Sequence, residues 1–392
     1  MSWARFPAAA GLARPLLPRP GKSLQMGRSV VDLYQDGLER PLRIPIPFAA
    51  GLRRLAHPLA LLVVLGHLAL LAGAWWMLRR LIPDAVTLSL FGHLHLVSGV
   101  HQRLIDRILV AGVLVPGVFL LEYLWMGWED CSVRHLLVGR TASGRTDLVC
   151  FLAGLTPPMT LLSTLMSLGV VLMSGEWARQ AIARATGLDL SVAAWPLAAQ
   201  TAVLFVVYSL FDYFSHRLDH TRLFWPLHRF HHAADDFSVL TAARVHPAAF
   251  TALVGTTLPG ILVGAAPEAL ADLALLVMTV RLVIHSRIES GFGWVGRWIV
   301  QSPSHHRLHH SLNRLPINLG LLPVWDRLFG TWRDAPSRPL PMGAPTPYRQ
   351  GAWIGPDIWR DYQEFWTGAW RLLVGRRLSL PLIPPSLPRW GR

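Results

Sequence analysis

The chain has 392 residues, of which 52% are hydrophobic and 15% charged, with 17 Trp and a mean hydropathy of +0.37; this excludes an ordinary water-soluble domain and implies an integral membrane protein. The formal net charge of +14 comes from arginines that flank apolar stretches and form no isolated basic domain, so anionic lipid headgroups are the expected partner and nucleic acid is not. The two cysteines, Cys131 and Cys150, are too few and too widely spaced for an iron–sulfur cluster, a zinc motif or a disulfide framework.

Residues 1–54 form a basic arm. Its first 22 residues are rich in arginine and free of acids, a composition that also suits an organellar transit peptide, but prolines interrupt any apolar run that would make a cleavable signal. A flexible cytoplasmic arm is the expectation. Four apolar stretches follow, at about 55–78, 108–128, 147–173 and 193–214, each reaching the roughly 20 residues a helix needs to span hydrocarbon. The third contains Pro157-Pro158, which kinks it or delays its start. Arg40, Arg43, Arg53 and Arg54 before the first stretch, and Arg134, Arg140 and Arg145 between the second and third, place both segments in the cytoplasm. Arg79, Arg80, Arg103 and Arg107 fall on the outer side, against the rule. Two shorter stretches, at about 247–265 and 268–285, form either a membrane hairpin or a re-entrant pair. Residues 353–373 place Ile358, Trp359, Tyr362, Phe365, Trp366, Ala369, Trp370 and Leu373 at helical spacing, followed by Arg376 and Arg377. This pattern fits an aromatic helix lying in the membrane interface or packed on the preceding domain.

The expected fold is therefore all-α, a polytopic membrane helical bundle with a cytoplasmic histidine-rich cap and both termini in the cytoplasm. Its parts are a basic arm (1–54), N-terminal transmembrane helices (55–190), a catalytic domain (191–335) and a C-terminal tail with an interfacial amphipathic helix (336–392).

The cap is defined by three histidine boxes. They are His216-x-x-x-His220, then His228-x-x-His231-His232, then His306-x-x-His309-His310 with a preceding His305. Spacings of three and four stack side chains on one helix face, so each box can aim its imidazoles at one place. Neutral imidazole is the commonest metal ligand, and eight rings exceed what one ion uses, so two metal ions are the natural reading. Asp212, Asp219, Asp235 and Asp236 are candidates to accept the second ring N–H of a ligand. His305 is rotated about 100° from His306 and belongs off the ligand face. Both apolar stretches between the second and third boxes are needed to bring the chain back to the same side. A histidine-rich membrane metal transporter is the rival reading. Transport ligands would recur inside the spans, and His57, His67, His93, His95, His101 and His135 show no repeated metal spacing.

FDYFSHRLDH followed by LFWPLHRFHH, the TAARVHP segment, and SPSHHRLHHS with INLG and LPVWDRLFGTW behind it resemble the fatty acid hydroxylase/sterol desaturase superfamily. The resemblance covers about residues 200–335. It implies a membrane di-iron oxidase that activates O2 and hydroxylates or desaturates a C–H position of a lipid, with zinc possible in purified protein. It implies His216, His220, His228, His231, His232, His306, His309 and His310 as ligands and catalytic residues, with His246 and His285 as further ligands. Where the family commonly has His-x-Asn, this chain has His285-Ser286-Arg287, which alters the surroundings of His285. Asp326 and Arg327 are expected to pack and form ion pairs. The chain lacks any flavin, nicotinamide or haem-binding fingerprint, so a separate electron donor of the ferredoxin or cytochrome b5 type is expected.

Overall fold

The computed structural model describes residues 48–90, 93–97, 99–101, 105, 110–156, 180–187, 191–312, 316–335, 342–344, 346–351 and 353–375. Most of the basic arm and most of the third apolar stretch lie outside the described residues.

Helix α1, Phe48–Leu55, leads into α2, Pro58–Leu81. Pro58 sits in the first turn of α2, where its missing N–H costs nothing. The helix stops at Ile82, which is extended (φ −107°, ψ 126°) because Pro83 follows and disfavours helical backbone there. Strands β1, Val86–Leu90, and β2, His93–Val97, then pair antiparallel with Val86 opposite Val97 and Leu90 opposite His93. This ladder departs from the all-α expectation. The cause is local: Val86, Leu88 and Leu90 alternate with Thr87 and Ser89, the period of a strand.

The second apolar stretch becomes a π-helical turn, Val110–Leu114, running into α3, Val115–Met126. Helix α4, Ala142–Gly154, starts where the Thr141 side chain accepts a hydrogen bond from Gly144 N at 3.0 Å. Among the described residues two helices are long and apolar enough to cross a membrane, α2 and α5, Leu197–Asp219. Of the other two expected spans, one is the shorter helix Gly112–Met126 and the other is described only through 156.

Helix α2 is almost bare. Leu59, Leu62 and Leu70 are 62%, 66% and 73% exposed, a continuous leucine surface that water does not tolerate and hydrocarbon does. The chain associates with a membrane through surfaces of this kind. Helix α5 instead packs against a helical hairpin, α7, Phe250–Val263, and α8, Pro267–Ile284. Val192, Leu204, Tyr208, Val263, Leu273, Val277, Ile284 and Leu321 form the shared core. Gly255 allows the close approach of α7 to α5, since a Cβ there would meet Ser215 Oγ at 2.8 Å. Gly264 makes the reversal with φ +55°.

Between α5 and α7 lie α6, Trp225–His232, and a 3-10 turn, Val239–Ala243. Three short helices follow the hairpin: α9, Gly293–Trp298, α10, Pro303–His309, and α11, Pro323–Leu328. The last described helix, α12, Gly355–Leu373, packs on α6, with Phe365 buried against Leu227 and Ala248. Its other face exposes Trp359, Trp370 and Leu373.

Candidate metal centre

The last turn of α5 carries His216, and His220 caps its C-terminus. Helix α6 carries His228, His231 and His232. Helix α10 begins at Ser302, whose hydroxyl accepts from His305 N, and carries His306 and His309, with His310 at its C-cap. The α7–α8 hairpin returns the chain so that His285, the C-cap of α8, faces the same place.

These histidines form two groups, each with its ring nitrogens within 4.8 Å of one another. The first contains His216, His220, His228, His232 and His309; the second contains His231, His285, His306 and His310. The grouping explains the three-plus-four spacing. Box two gives its i, i+4 pair, His228 and His232, to the first group and His231 to the second. Box three does the reverse, giving His306 and His310 to the second and His309 to the first. Adjacent histidines differ by about 100° around a helix, so one short helix serves two centres. Box one completes the first group, and His285 stands in the second where no box supplies a further ring.

Within the groups, Nε2 atoms face one another. His228 Nε2 lies 3.2 Å from that of His216 and 3.0 Å from that of His232. His285 Nε2 lies 3.3 Å from that of His231 and 3.0 Å from that of His306, which is 3.1 Å from that of His310. The opposite nitrogens fix several tautomers. Nδ1–H of His216 donates to Leu319 O (2.7 Å), of His231 to Arg244 O (3.2 Å), of His285 to Arg281 O (2.7 Å) and of His309 to Ile317 O (2.9 Å). A carbonyl only accepts, so each of these four Nε2 atoms carries a lone pair, and the lone pairs of His231 and His285 point at each other. Nε2 of His220 and His309 is buried without a partner among the described residues. Metal–nitrogen bonds of about 2.0–2.1 Å would set neighbouring nitrogens about 3.0–3.4 Å apart, so both donor sets fit a cation. Burial pushes His220, His228, His231, His232, His306, His309 and His310 well below their ordinary value, and neighbouring imidazoles push in the same direction. The rings are neutral, which is the metal-binding form.

Residues 201–331 match the family model for fatty acid hydroxylase. This part of the chain belongs to the fatty acid hydroxylase superfamily. Over 136 residues the chain is 29% identical to an alkylglycerol monooxygenase of Xenopus tropicalis, covering 31% of this chain and 27% of the relative. A human alkylglycerol monooxygenase is 29% identical over 125 residues, with the same coverage. The ornithine lipid hydroxylase OlsE of Rhizobium tropici is 30% identical over 148 residues, covering 36% of this chain and 44% of the relative. The chain thus spans between about a quarter and a half of the length of these relatives. No solved structure matches it.

Within the hydroxylase segment, carbonyl groups and not carboxylates hold the second ring nitrogen of four of the nine grouped histidines, while Nδ1 of His306 and of His310 is buried without a partner among the described residues. Of the four acids considered from sequence, Asp219 comes closest, its Oδ2 3.7 Å from His228 Nδ1. Asp212 pairs with Arg281, Asp236 pairs with Arg287, and Asp235 is exposed. The loop 317–320 supplies carbonyls to His216 and His309, and Asp326 pegs that loop. Its carboxylate accepts from Leu319 N (2.8 Å), Gly320 N (2.8 Å) and Thr331 Oγ1 (2.6 Å). Asp326 therefore orders the loop and, among the described residues, forms no ion pair. Arg327 stacks on Trp298 and Trp332.

Two buried ion pairs tie the hydroxylase segment to helices beyond it. Arg244, whose carbonyl holds His231, pairs with Asp147 of α4, and both side chains are fully buried. Arg229, between His228 and His231, pairs with Asp361 of α12 and with Glu364 at 2.8 Å. Neither acid is legible from sequence: Asp147 and Asp361 lie 97 and 132 residues from their partners, and no local spacing signals such a contact.

His246 corrects an expectation. Its Nδ1 accepts from Ala248 N and its Nε2 donates to Ile358 O, both at 3.0 Å, so neither nitrogen is free to ligate and neither group includes it. His305 is off both groups, as its rotation implies, but buried and not solvent-facing. Ser302 Oγ meets its Nδ1 at 2.6 Å, and Asp334 lies 3.8 Å from its Nε2. With Ser286-Arg287 after His285 in place of the family's x-Asn, it is Arg281 O that takes the Nδ1–H of His285.

Proposed function

We propose that the chain is a membrane-bound lipid hydroxylase with two iron ions, one held by His216, His220, His228, His232 and His309 and the other by His231, His285, His306 and His310. The observation that carries this is the reciprocal sharing of boxes two and three between two convergent imidazole groups, inside a segment of the fatty acid hydroxylase superfamily. The relatives named alkylglycerol monooxygenase and ornithine lipid hydroxylase support a lipid substrate and insertion of oxygen, and favour hydroxylation over desaturation. The overall reaction consumes a C–H bond, O2, two electrons and two protons, and yields an alcohol and water. The electrons come from a separate ferredoxin or cytochrome b5 type donor, since the chain carries no redox fingerprint of its own.

Iron bound there supplies redox and Lewis-acid chemistry toward O2. The chain does the rest. Neutral imidazoles hold the ions, and the carbonyls of Leu319, Ile317, Arg244 and Arg281 hold the rings in one tautomer, a contribution to metal affinity and activity of about 10–100-fold where such partners have been removed. Burial excludes water and restricts approach to a cavity on one side. The four-part domain division and the cytoplasmic position of the boxes and both termini belong to the same proposal, as does an interfacial role for α12, whose outward Trp359 and Trp370 suit the headgroup level.

The test is lipid mass spectrometry of host membranes with and without the chain under heavy-isotope O2. The expected result is a lipid that gains one labelled oxygen and disappears with His309→Ala. Metal uptake by intact cells without any oxidised lipid would favour a transporter instead.

A further inference from the structure

Helix α3 lies outside the hydroxylase segment, and within its apolar run it carries Glu122, fully buried. A buried carboxylate in such a helix is costly unless donors surround it, and it marks function more often than support. Glu122 Oε1 accepts from Arg287 N at 2.5 Å and from Ser132 Oγ at 2.9 Å, and Oε2 accepts from Ser132 N at 2.5 Å. Arg287 and Arg307 supply the positive charge that acts on it. Ser132 Oγ in turn accepts from Val239 N at 3.1 Å. Two segments that carry the second histidine group are thereby tied to one carboxylate. One is Ser286-Arg287, directly after His285; Ser286 O also accepts from Arg307 Nη2 at 3.0 Å, beside His306. The other runs from Phe237 through the 3-10 turn to Arg244, whose carbonyl holds His231. Arg287 Nη1 joins the two by donating to Phe237 O at 3.0 Å. The Phe237 ring lies against His285, His306 and His310, with centroids 5.2, 6.4 and 5.0 Å away.

We infer that Glu122 is the positioning residue of the second histidine group, the counterpart of Asp326 at the first. The inference rests on the proposed two-iron reading. Each carboxylate is buried and accepts from two backbone N–H groups and one hydroxyl: Asp326 from Leu319 N, Gly320 N and Thr331 Oγ1, Glu122 from Ser132 N, Arg287 N and Ser132 Oγ. Asp326 fixes the loop whose carbonyls hold His216 and His309, both of the first group. Glu122 fixes the turn after His285 and, through Ser132, the start of the turn that ends at the carbonyl partner of His231. Neither acid meets a ring nitrogen, so each acts by setting where the rings stand, an effect of about 10–100-fold in metal affinity where such outer partners have been removed. Residues 201–331 alone therefore lack the support of the second group, which comes from α3 and the loop behind it. A carboxylate suits the task and an amide does not: Gln keeps one acceptor oxygen, and its NH2 must face the N–H of Ser132 or of Arg287.

The test loads the full chain in nanodiscs with zinc and follows its release to a chelator, alongside amide hydrogen exchange of the metal-free chain. Glu122→Gln should hold one of two ions about 10–100-fold more weakly and the other as the wild type does, with faster exchange over residues 286–287 and 238–239. Asp326→Asn should loosen the other ion. Added to His306→Ala, which already weakens the second group, Glu122→Gln should change little more; added to His220→Ala, it should leave both ions weakly held. Should Glu122→Gln not fold, Ser132→Ala is the milder variant and should act in the same direction. Equal loosening of both ions, as a general loss of stability would give, overturns the inference. So does an unchanged hold on both ions in a folded Glu122→Gln chain. A wild type with a single ion ends the two-iron reading; the inference then survives only if Glu122→Gln and His306→Ala loosen that ion alike, and is overturned otherwise.

Discussion

Helices α2 and α5 have nearly the same length, 24 and 23 residues, and both have the length and hydropathy of a membrane span. Their surroundings differ. In its most apolar window α2 is 6% buried, whereas α5 is 33% buried and places Gln200, Tyr208, Ser209, Asp212 and Tyr213 among its buried residues. An apolar helix that needs no protein neighbour is an anchor. One that commits a polar stripe to its neighbours must be held in register by them, and α5 delivers that stripe to His216 and His220.

The comparison can be broken from the α5 side with the largest effect. His216→Ala should abolish oxidised lipid in the host assay while the protein still reaches the membrane, measured by lipid mass spectrometry and membrane fractionation; retained product would put the chemistry elsewhere. Next in size is Asp147→Ala, which strands the buried Arg244 guanidinium and should cost about 3–5 kcal/mol of stability. A large fall in melting temperature is expected, with loosened metal at His231 because Arg244 also supplies that ring's carbonyl. Asp326→Asn should be smaller. The amide presents an N–H toward Gly320 N, so the loop carrying the Ile317 and Leu319 carbonyls slackens, and metal affinity should fall by about 10–100-fold, read by chelator competition. On the α2 side, Leu62→Ala or Leu70→Ala should change stability by no more than about 0.5 kcal/mol and leave metal content intact. A loss of metal there would show that α2 is coupled to the site after all.

Much of the site was legible because helical spacing is local. The boxes could be read as stacked faces from their three- and four-residue intervals alone. Their division between two groups was not legible, since it depends on how α5, α6 and α10 approach one another. The partners of the ring nitrogens were hidden for a related reason: every residue has a carbonyl, so sequence gives no sign that Leu319 or Arg244 offers one here. His246 shows how a resemblance can mislead. Its motif neighbours match, but α12 lies beyond the hydroxylase segment and takes the Nε2–H at Ile358 O. In the fold, the span lengths of α2 and α5 were readable from hydropathy, while the β1–β2 ladder was not, because its strands are only five residues long and lie between apolar runs.

The central claim is that two imidazole groups hold two ions, and metal counting of freshly purified protein tests it most directly. The wild type should contain two metal ions per chain, iron or exchanged zinc. His220→Ala, which leaves four imidazoles in the first group, and His285→Ala, which leaves three in the second, should each weaken the hold on one ion and spare the other, His285→Ala by more, while His246→Ala keeps both. A single tightly held ion per chain, unchanged by either His220→Ala or His285→Ala, would contradict the account.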